Sequence, residues 1–372
     1  MKSSRGLRAL TSATCLAAVL ASPALAAPKA NGTPAPAAKA QTVPALPPAM
    51  LQPPIGQLQP ANGANVPALP NLLTPTQTAA PAPLPGSDLA YSAYQSGFYI
   101  TAALEAIKRV NAGNDPAALT LLGELYARGF GVPYDPQKAG DYYRRAAGLG
   151  DTNAMFALGM MALTGQGIVQ NDAAAARWFQ DAASKGHGSA AYNLGLLYMQ
   201  GRGVTAEMRS AAQWFRTAAD AGVPDAEYAL AVLLREGNGV VPDRITALRL
   251  MREAALQDHV TAQVELAIAT FNGDGVMKDE AAAAALFRKA ALAGNAIAQN
   301  RYARLLSAGR GVPQDKTTAA AWHLLAKMRG LNDAYLDEMV ASLPADDRQK
   351  AAALARKWAA TTADAKVTAA LP

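Results

Sequence analysis

Apolar and polar positions along this chain recur at a constant step of 36 residues, and inside each step they follow the period of an α-helix. From Pro116 to Arg128, Ala118, Leu122 and Leu125/Tyr126 return at steps of three and four, which predicts a helix with one apolar stripe. Asp115 is placed to cap this helix, and Pro116 suits its first turn. A second helix is predicted from Pro136 to Gly148, with Ala139, Tyr142/Tyr143 and Ala146/Ala147 inward. Between the two lies Gly129-Phe130-Gly131-Val132. Gly129 is expected to supply the left-handed residue after the first helix, and Gly131 to let the chain reverse tightly. The unit is therefore a short antiparallel helical hairpin.

The same frame holds six times. Glycine pairs stand at 129/131, 165/167, 201/203, 237/239, 273/275 and 309/311. Alanine occupies 118, 154, 190, 226, 262 and 298, and paired alanines close the second helix at 146/147, 182/183, 218/219, 254/255 and 290/291. A large apolar or aromatic pair precedes them, for example Tyr142-Tyr143, Trp178-Phe179 and Trp214-Phe215. Gly150, Gly186, Gly222, Gly294 and Gly330 end the second helix, and the fourth copy carries Gln257-Asp258 there instead. Ordering a chain costs about 1.5 kcal/mol per residue. Two short alanine-rich helices cannot recover that by burying only each other, so each hairpin must stack on its neighbours.

At these residues the chain resembles the Sel-1-like repeat family, which is related to the tetratricopeptide repeats. The third copy fits the family pattern closely, with Ala190, Leu194-Gly195, Tyr198, Gly201, Gly203-Val204, Trp214, Ala218-Ala219 and Gly222. The fourth and fifth depart most, with Ala231 and Ala267 replacing the glycine of the first helix. The resemblance implies an all-α, right-handed α-solenoid. Six 36-residue helical hairpins span 115–330, with a helical hairpin before them over 87–114 and capping helices after them over 331–364.

The ends are of a different composition. Lys2, Arg5 and Arg8 precede an uncharged stretch from Ala9 to Leu20 and then Ala24-Leu25-Ala26, so residues 1–26 read as a signal peptide. The stretch is too short for a stable membrane span. Residues 27–86 hold fifteen prolines, two lysines and no acidic residue, and are expected to be a disordered linker. A disordered tail is expected over 365–372. The sole cysteine, Cys15, lies in the signal peptide, so the mature chain has no thiol chemistry and no disulfide. Export implies a periplasmic or secreted protein.

The formal charge of +6 is misleading about partners. Three basic residues leave with the signal peptide and two lie in the linker, so residues 87–372 carry 29 basic against 28 acidic residues, a net of +1. Nucleic-acid binding would lack its main energetic term. His187 and His259 share one repeat position at the start of a first helix and His323 lies on a second helix, with no ligand-type spacing among them. We expect no metal and no cofactor. The glycine pairs follow helices rather than strands, which excludes a phosphate loop. Some exported relatives are linked to β-lactam hydrolysis, but no serine here has lysine three residues on. The chain is expected not to be an enzyme; a β-lactamase-like envelope hydrolase and a structural protein that associates with peptidoglycan are the alternatives.

A binding surface is the better reading. If 118, 122 and 125/126 pack inward, positions 117, 120, 121, 124 and 128 face the other way, and similarity to tetratricopeptide arrays implies that this face lines a concave groove. Through the central copies it carries Phe156, Met160, Tyr192, Leu196, Tyr228, Val232 and Ile268, edged by Gln200, Arg235 and Glu236. Asn193 stands where related arrays often contact ligand backbone. The competing reading packs these apolar residues against adjacent repeats. The partner expected for the groove is a peptide segment or a protein, in an adaptor or regulatory role.

Overall fold

The computed structural model describes residues 88–361. The expected signal peptide, linker and tail lie outside the described residues. Among the described residues every regular element is a helix. An N-terminal pair, α1 (Leu89–Gln95) and α2 (Tyr99–Gly113), precedes six hairpins: α3 (Pro116–Arg128) with α4 (Pro136–Gly148), α5 (Thr152–Thr164) with α6 (Asp172–Ser184), α7 (Gly188–Gln200) with α8 (Met208–Asp220), α9 (Pro224–Glu236) with α10 (Arg244–Leu256), α11 (Val260–Asn272) with α12 (Glu280–Leu292), and α13 (Ala296–Ala308) with α14 (Lys316–Met328). Two further helices, α15 (Ala334–Ser342) and α16 (Ala345–Thr361), follow. From α1 to α13 each helix packs mainly on its neighbours in sequence, as a solenoid requires, and at the C-terminal end α16 passes over α15 to pack on α14.

The local chemistry of each hairpin is uniform. Asp115 accepts from the amides of Ala117 at 2.9 Å and Ala118 at 3.2 Å, and Asp151 and Asn295 cap their helices in the same way. The first glycine of every pair is left-handed, from Gly129 at φ +69° to Gly309 at φ +67°, and ends the first helix. At the close of the second helix Gly150 stands at φ +94°, and Asp258 takes the equivalent place in the fourth copy at φ +67°. Asp258 accepts from Gln263 Nε2 at 3.2 Å and pairs with Lys289.

The second glycine does more than turn the chain. A Cβ at Gly131 would lie 2.6 Å from the Tyr99 carbonyl carbon, and one at Gly239 would lie 2.6 Å from that of Met208. In five of the six copies this glycine rests its backbone on the start of the second helix in the unit before, and Gly275 meets the Leu248 side chain instead, so the pair is both a turn and a seam. The residue between the glycines reaches across the same seam. Phe130 stacks on Tyr99 with ring centroids 4.6 Å apart, and Arg202 donates to both oxygens of Asp172 at 3.0 and 2.9 Å. Arg310 grips Glu280 similarly, at 3.2 and 2.5 Å.

The core is a ladder of small residues with a large one set in each gap. Ala146, Ala182, Ala218, Ala254, Ala290 and Ala326 are fully buried. Within a hairpin, the aromatic ring of the second helix lies over a glycine of the first: a Cβ on Gly195 would come within 2.7 Å of the Phe215 ring. Where the fourth copy has Ala231, the ring gives way to Met251, an adaptable side chain. At the C-terminal end Trp358 of α16 stacks on Trp322 of α14, centroids 4.5 Å apart.

Candidate functional site

The face presented by the first helices divides into a buried part and an accessible part. Tyr192, Leu196, Tyr228 and Val232, expected to line the groove, are buried, with relative exposures of 8, 1, 4 and 6 %. Their side chains are taken up by packing within and between repeats. Tyr192 lies 5.7 Å from the Phe215 ring and Tyr228 stacks on His259 at 4.7 Å. The apolar stripe of the two central copies is therefore core, and the competing reading holds at these four positions. The physical reason is the alanine at 118 and its equivalents and at the close of each second helix, which lets the helices come so close that Tyr192, Leu196, Tyr228 and Val232 are enclosed as well.

Phe156, Met160, Asn193 and Ile268 remain half-exposed, and Gln200, Arg235 and Glu236 are exposed. Phe156 stacks on His187 at 4.8 Å, which holds its ring against the next repeat. Asn193 donates through Nδ2 to the Ser189 carbonyl at 2.8 Å. The accessible floor thus runs from Phe156 and Met160 in the second copy to Ile268 in the fifth.

A polar cluster spans the fourth and fifth copies. Tyr228 donates its hydroxyl to Glu265 at 2.7 Å, and Arg235 pairs with the other oxygen of the same carboxylate. Burial first, then the Glu265 charge, pushes the Tyr228 phenol well above its ordinary range, so it stays a donor. His259 Nε2 lies 3.6 Å from Asp225. Glu265, not among the residues the sequence pointed to, stands at position 121 of the fifth copy, the place that Asn193 holds in the third.

The two histidines at this repeat position are helix caps. His187 Nδ1 accepts from the Ala190 amide and His259 Nδ1 from the Ala262 amide, each at 3.1 Å. An acceptor at Nδ1 requires an unprotonated ring nitrogen there, so each imidazole is neutral with its proton on Nε2. Burial lowers both basicities, in His259 against the opposing charges of Asp225 and Glu265. His323 sits where other copies have Tyr143 or Phe179; it is buried and its Nε2 lies 2.9 Å from Asp337. These roles tie the histidines to helix ends and to the C-terminal cap.

The groove face changes character at the sixth copy. Asn300 and Arg304 occupy the positions held by Tyr192 and Leu196 in the third, and both bind Asp333 from the chain that follows. Asn300 donates at 2.7 Å, and Arg304 donates through two nitrogens at 2.6 and 2.8 Å. Burial works to raise the Asp333 carboxyl, but Arg304 and Asn300 hold it below the usual carboxylate range. Asp333 also caps α15 by accepting from Leu336. The chain's own turn therefore closes this end of the face. On the other side of the array, a depression between α4 and α6 is lined by Arg144, Met155, Trp178, Asp181 and Lys185. Among the described residues no helix is long and apolar enough to cross a membrane, and no cluster of His, Cys, Asp or Glu has metal-site geometry.

Stacked helical hairpins joined through glycine seams, with a face of first helices, define a helical-repeat solenoid. The chain belongs to the Sel1 repeat family: consecutive segments 116–151, 152–187, 188–223, 224–259, 260–295 and 296–331 each match the Sel1 repeat. A Sel1 repeat protein from Oxalobacter formigenes is similar at 29% identity over 64% of this chain and 98% of that one, with a TM-score of 0.59. A protective antigen of uropathogenic Escherichia coli with an SLR fold aligns at 23% identity over 75% of this chain and 86% of that one, with a TM-score of 0.32. No curated protein matches the chain. The fold is one commonly used as a scaffold for protein–protein interaction.

Proposed function

We propose that this is an exported, non-enzymatic adaptor that binds a peptide segment or a protein along the face of its first helices. One observation carries the reading. Phe156, Met160 and Ile268 stay half-exposed on that face, with Asn193 and Gln200 between them, whereas Tyr192, Leu196, Tyr228, Val232 and Val264 at the same positions of other copies are buried. A row of apolar side chains left accessible beside a polar edge suits a segment that lays alternate side chains into the floor and its backbone against amides. The polar edge is Arg235, Glu236 and Glu265, which would set the register and orientation of the partner more than its affinity. The near-neutral charge of residues 87–372 agrees with a protein partner rather than nucleic acid. Export rests on the basic, apolar and Ala-x-Ala pattern of residues 1–26.

The test is site-specific photocrosslinking in the native envelope. Probes at Met160, Gln200 and Ile268 should trap a common partner, whereas probes at Asp141 and Arg177, exposed on the second helices, should not. Trapping from the outer positions alone would refute the assignment of the face. Export is tested separately by the N-terminus of the purified protein, expected at Ala27.

A further inference from the structure

One position on the first helix, repeated every 36 residues, reads Leu119, Met155, Ala191, Glu227, Gln263 and Gln299. The last two share one contact. Gln263 Nε2 donates to the Ala255 carbonyl and Gln299 Nε2 to the Ala291 carbonyl, both at 3.1 Å. In each case the acceptor ends the second helix of the repeat before, eight residues back. Gln299 then accepts at Oε1 from Arg329, thirty residues on, at 3.1 Å. Gln299 thereby stitches its repeat to the previous one and to the end of its own second helix, whereas Gln263 donates a second time to the previous repeat, to Asp258 at its closing turn.

Glu227 is built into the same place. It is only 4 % exposed, and its Oε1 accepts from Gln257, again thirty residues on, at 2.8 Å. By register its Oε2 takes the place of the glutamine Nε2, opposite the Ala219 carbonyl. That oxygen is fully buried and has no donor. An ionised carboxylate can only accept, so against a carbonyl it would leave two buried acceptors face to face. A protonated carboxyl donates where the glutamines donate.

We propose that Glu227 carries a proton on Oε2 and donates it to the Ala219 carbonyl, so that the seam between the third and fourth repeats closes when this carboxyl is neutral and loosens when it ionises. The surroundings support this. Burial raises the carboxyl, Gln257 lowers it, Glu253 of α10 raises it and Arg249 of α10 lowers it, with the balance upward. From α8 the ionisable residues at this end, Arg216 and Asp220, are exposed, and the buried residues are Ala218 and Ala219. On α9 itself Asp225 is near His259 of the next repeat. Because the folded carboxyl holds its proton to higher pH than the unfolded one, the stability it contributes is complete below the ordinary value of 4.5 and is lost as pH rises through the folded value.

Glu227→Gln supplies the missing donor without titrating and copies the fifth and sixth repeats. Amide exchange along the first turns of α9 should be about tenfold slower in Glu227→Gln than in the parent chain at about pH 8, with the difference vanishing near pH 5. Comparison at equal pH cancels the histidine contributions. Independently, the NMR shift of the Glu227 side-chain carboxyl carbon should titrate above the ordinary glutamate value of 4.5 and report the neutral acid at that pH. Equal exchange in the two proteins at every pH, faster exchange in Glu227→Gln at high pH, or a carboxyl shift that titrates at or below 4.5 would each overturn the proposal.

Discussion

At the residue scale, a histidine serves as a helix cap in two of the six repeats, where the others use Asp115, Asp151, Asn295 or, in the fourth copy, the uncapped Val223. An imidazole cap works only while its Nδ1 is free of a proton, which makes helices α7 and α11 sensitive to acid. Burial holds both rings below the ordinary 6.5, so the folded array takes up fewer protons than the unfolded chain as pH falls past that value. Stability is then complete above about 6.5 and declines as pH falls through the folded values. His187→Asn keeps an acceptor that does not titrate, and it should flatten this decline in denaturant midpoints taken from about pH 7.5 to 5. His187→Ala should instead cost about 1 kcal/mol at neutral pH by removing the cap altogether. The C-terminal carboxylate makes a heavier contribution. Asp333→Ala leaves Arg304 and Asn300 without their shared acceptor, and we expect a loss of about 3 kcal/mol in equilibrium unfolding, well above that of a simple cap.

At the element scale, the two glycines of each pair have different jobs, which substitution can separate. Gly201 has a left-handed backbone, φ +68°, and a Cβ there would meet only Ala206 of its own turn, at 3.0 Å, so Gly201→Ala should cost about 1 kcal/mol. Gly203 has the same φ of +68°, but a Cβ there would overlap the Asp172 carbonyl of the repeat before. Gly203→Ala should therefore cost clearly more, and hydrogen exchange should show the excess at the seam between the second and third hairpins. The first role was legible in sequence, because a glycine after an apolar-periodic helix has one common meaning. The second was not, because the contact is made to another repeat's backbone and leaves no mark on local pattern. The same distinction explains the groove residues. Helical period placed Tyr192, Leu196, Tyr228 and Val232 off the inner stripe, yet how closely alanine-lined helices approach is a property of the stack, and it is that approach which encloses them. Asn193, Gln200, Arg235 and Glu236 are on the accessible face as their spacing suggested, since polar side chains at those positions have no burial to gain. Gly195→Ala pushes on the Phe215 ring, at a cost we expect near 1 kcal/mol. The fifth copy, with Ala267 and Phe287 both buried, already accommodates that pairing.

At the scale of the whole molecule, the repeats are alike in fold and unlike in what they offer. The second copy exposes the apolar Phe156 and Met160, the third the polar Asn193 and Gln200, the fourth and fifth a charged edge built on Glu265 beside Ile268, and the sixth is closed by Asp333. A partner lying along the first helices would meet these in order, so substitutions along the row should have graded effects on its capture. Met160→Ala and Ile268→Ala should weaken crosslinking to a probe at Gln200, while Asp333→Ala should leave it unchanged if the sixth copy is sealed from the partner. The glycine seams carry one more implication. Since the joint is made through a position every copy shares, backbone against backbone in all but the fifth copy, where Gly275 meets the Leu248 side chain, the hairpins are close to interchangeable as neighbours as far as the joint is concerned. Gene duplication or loss in units of 36 codons would then lengthen or shorten the recognition surface without a new junction having to be invented, and the ancestry of this chain is most readily pictured as one hairpin copied and then separately specialised.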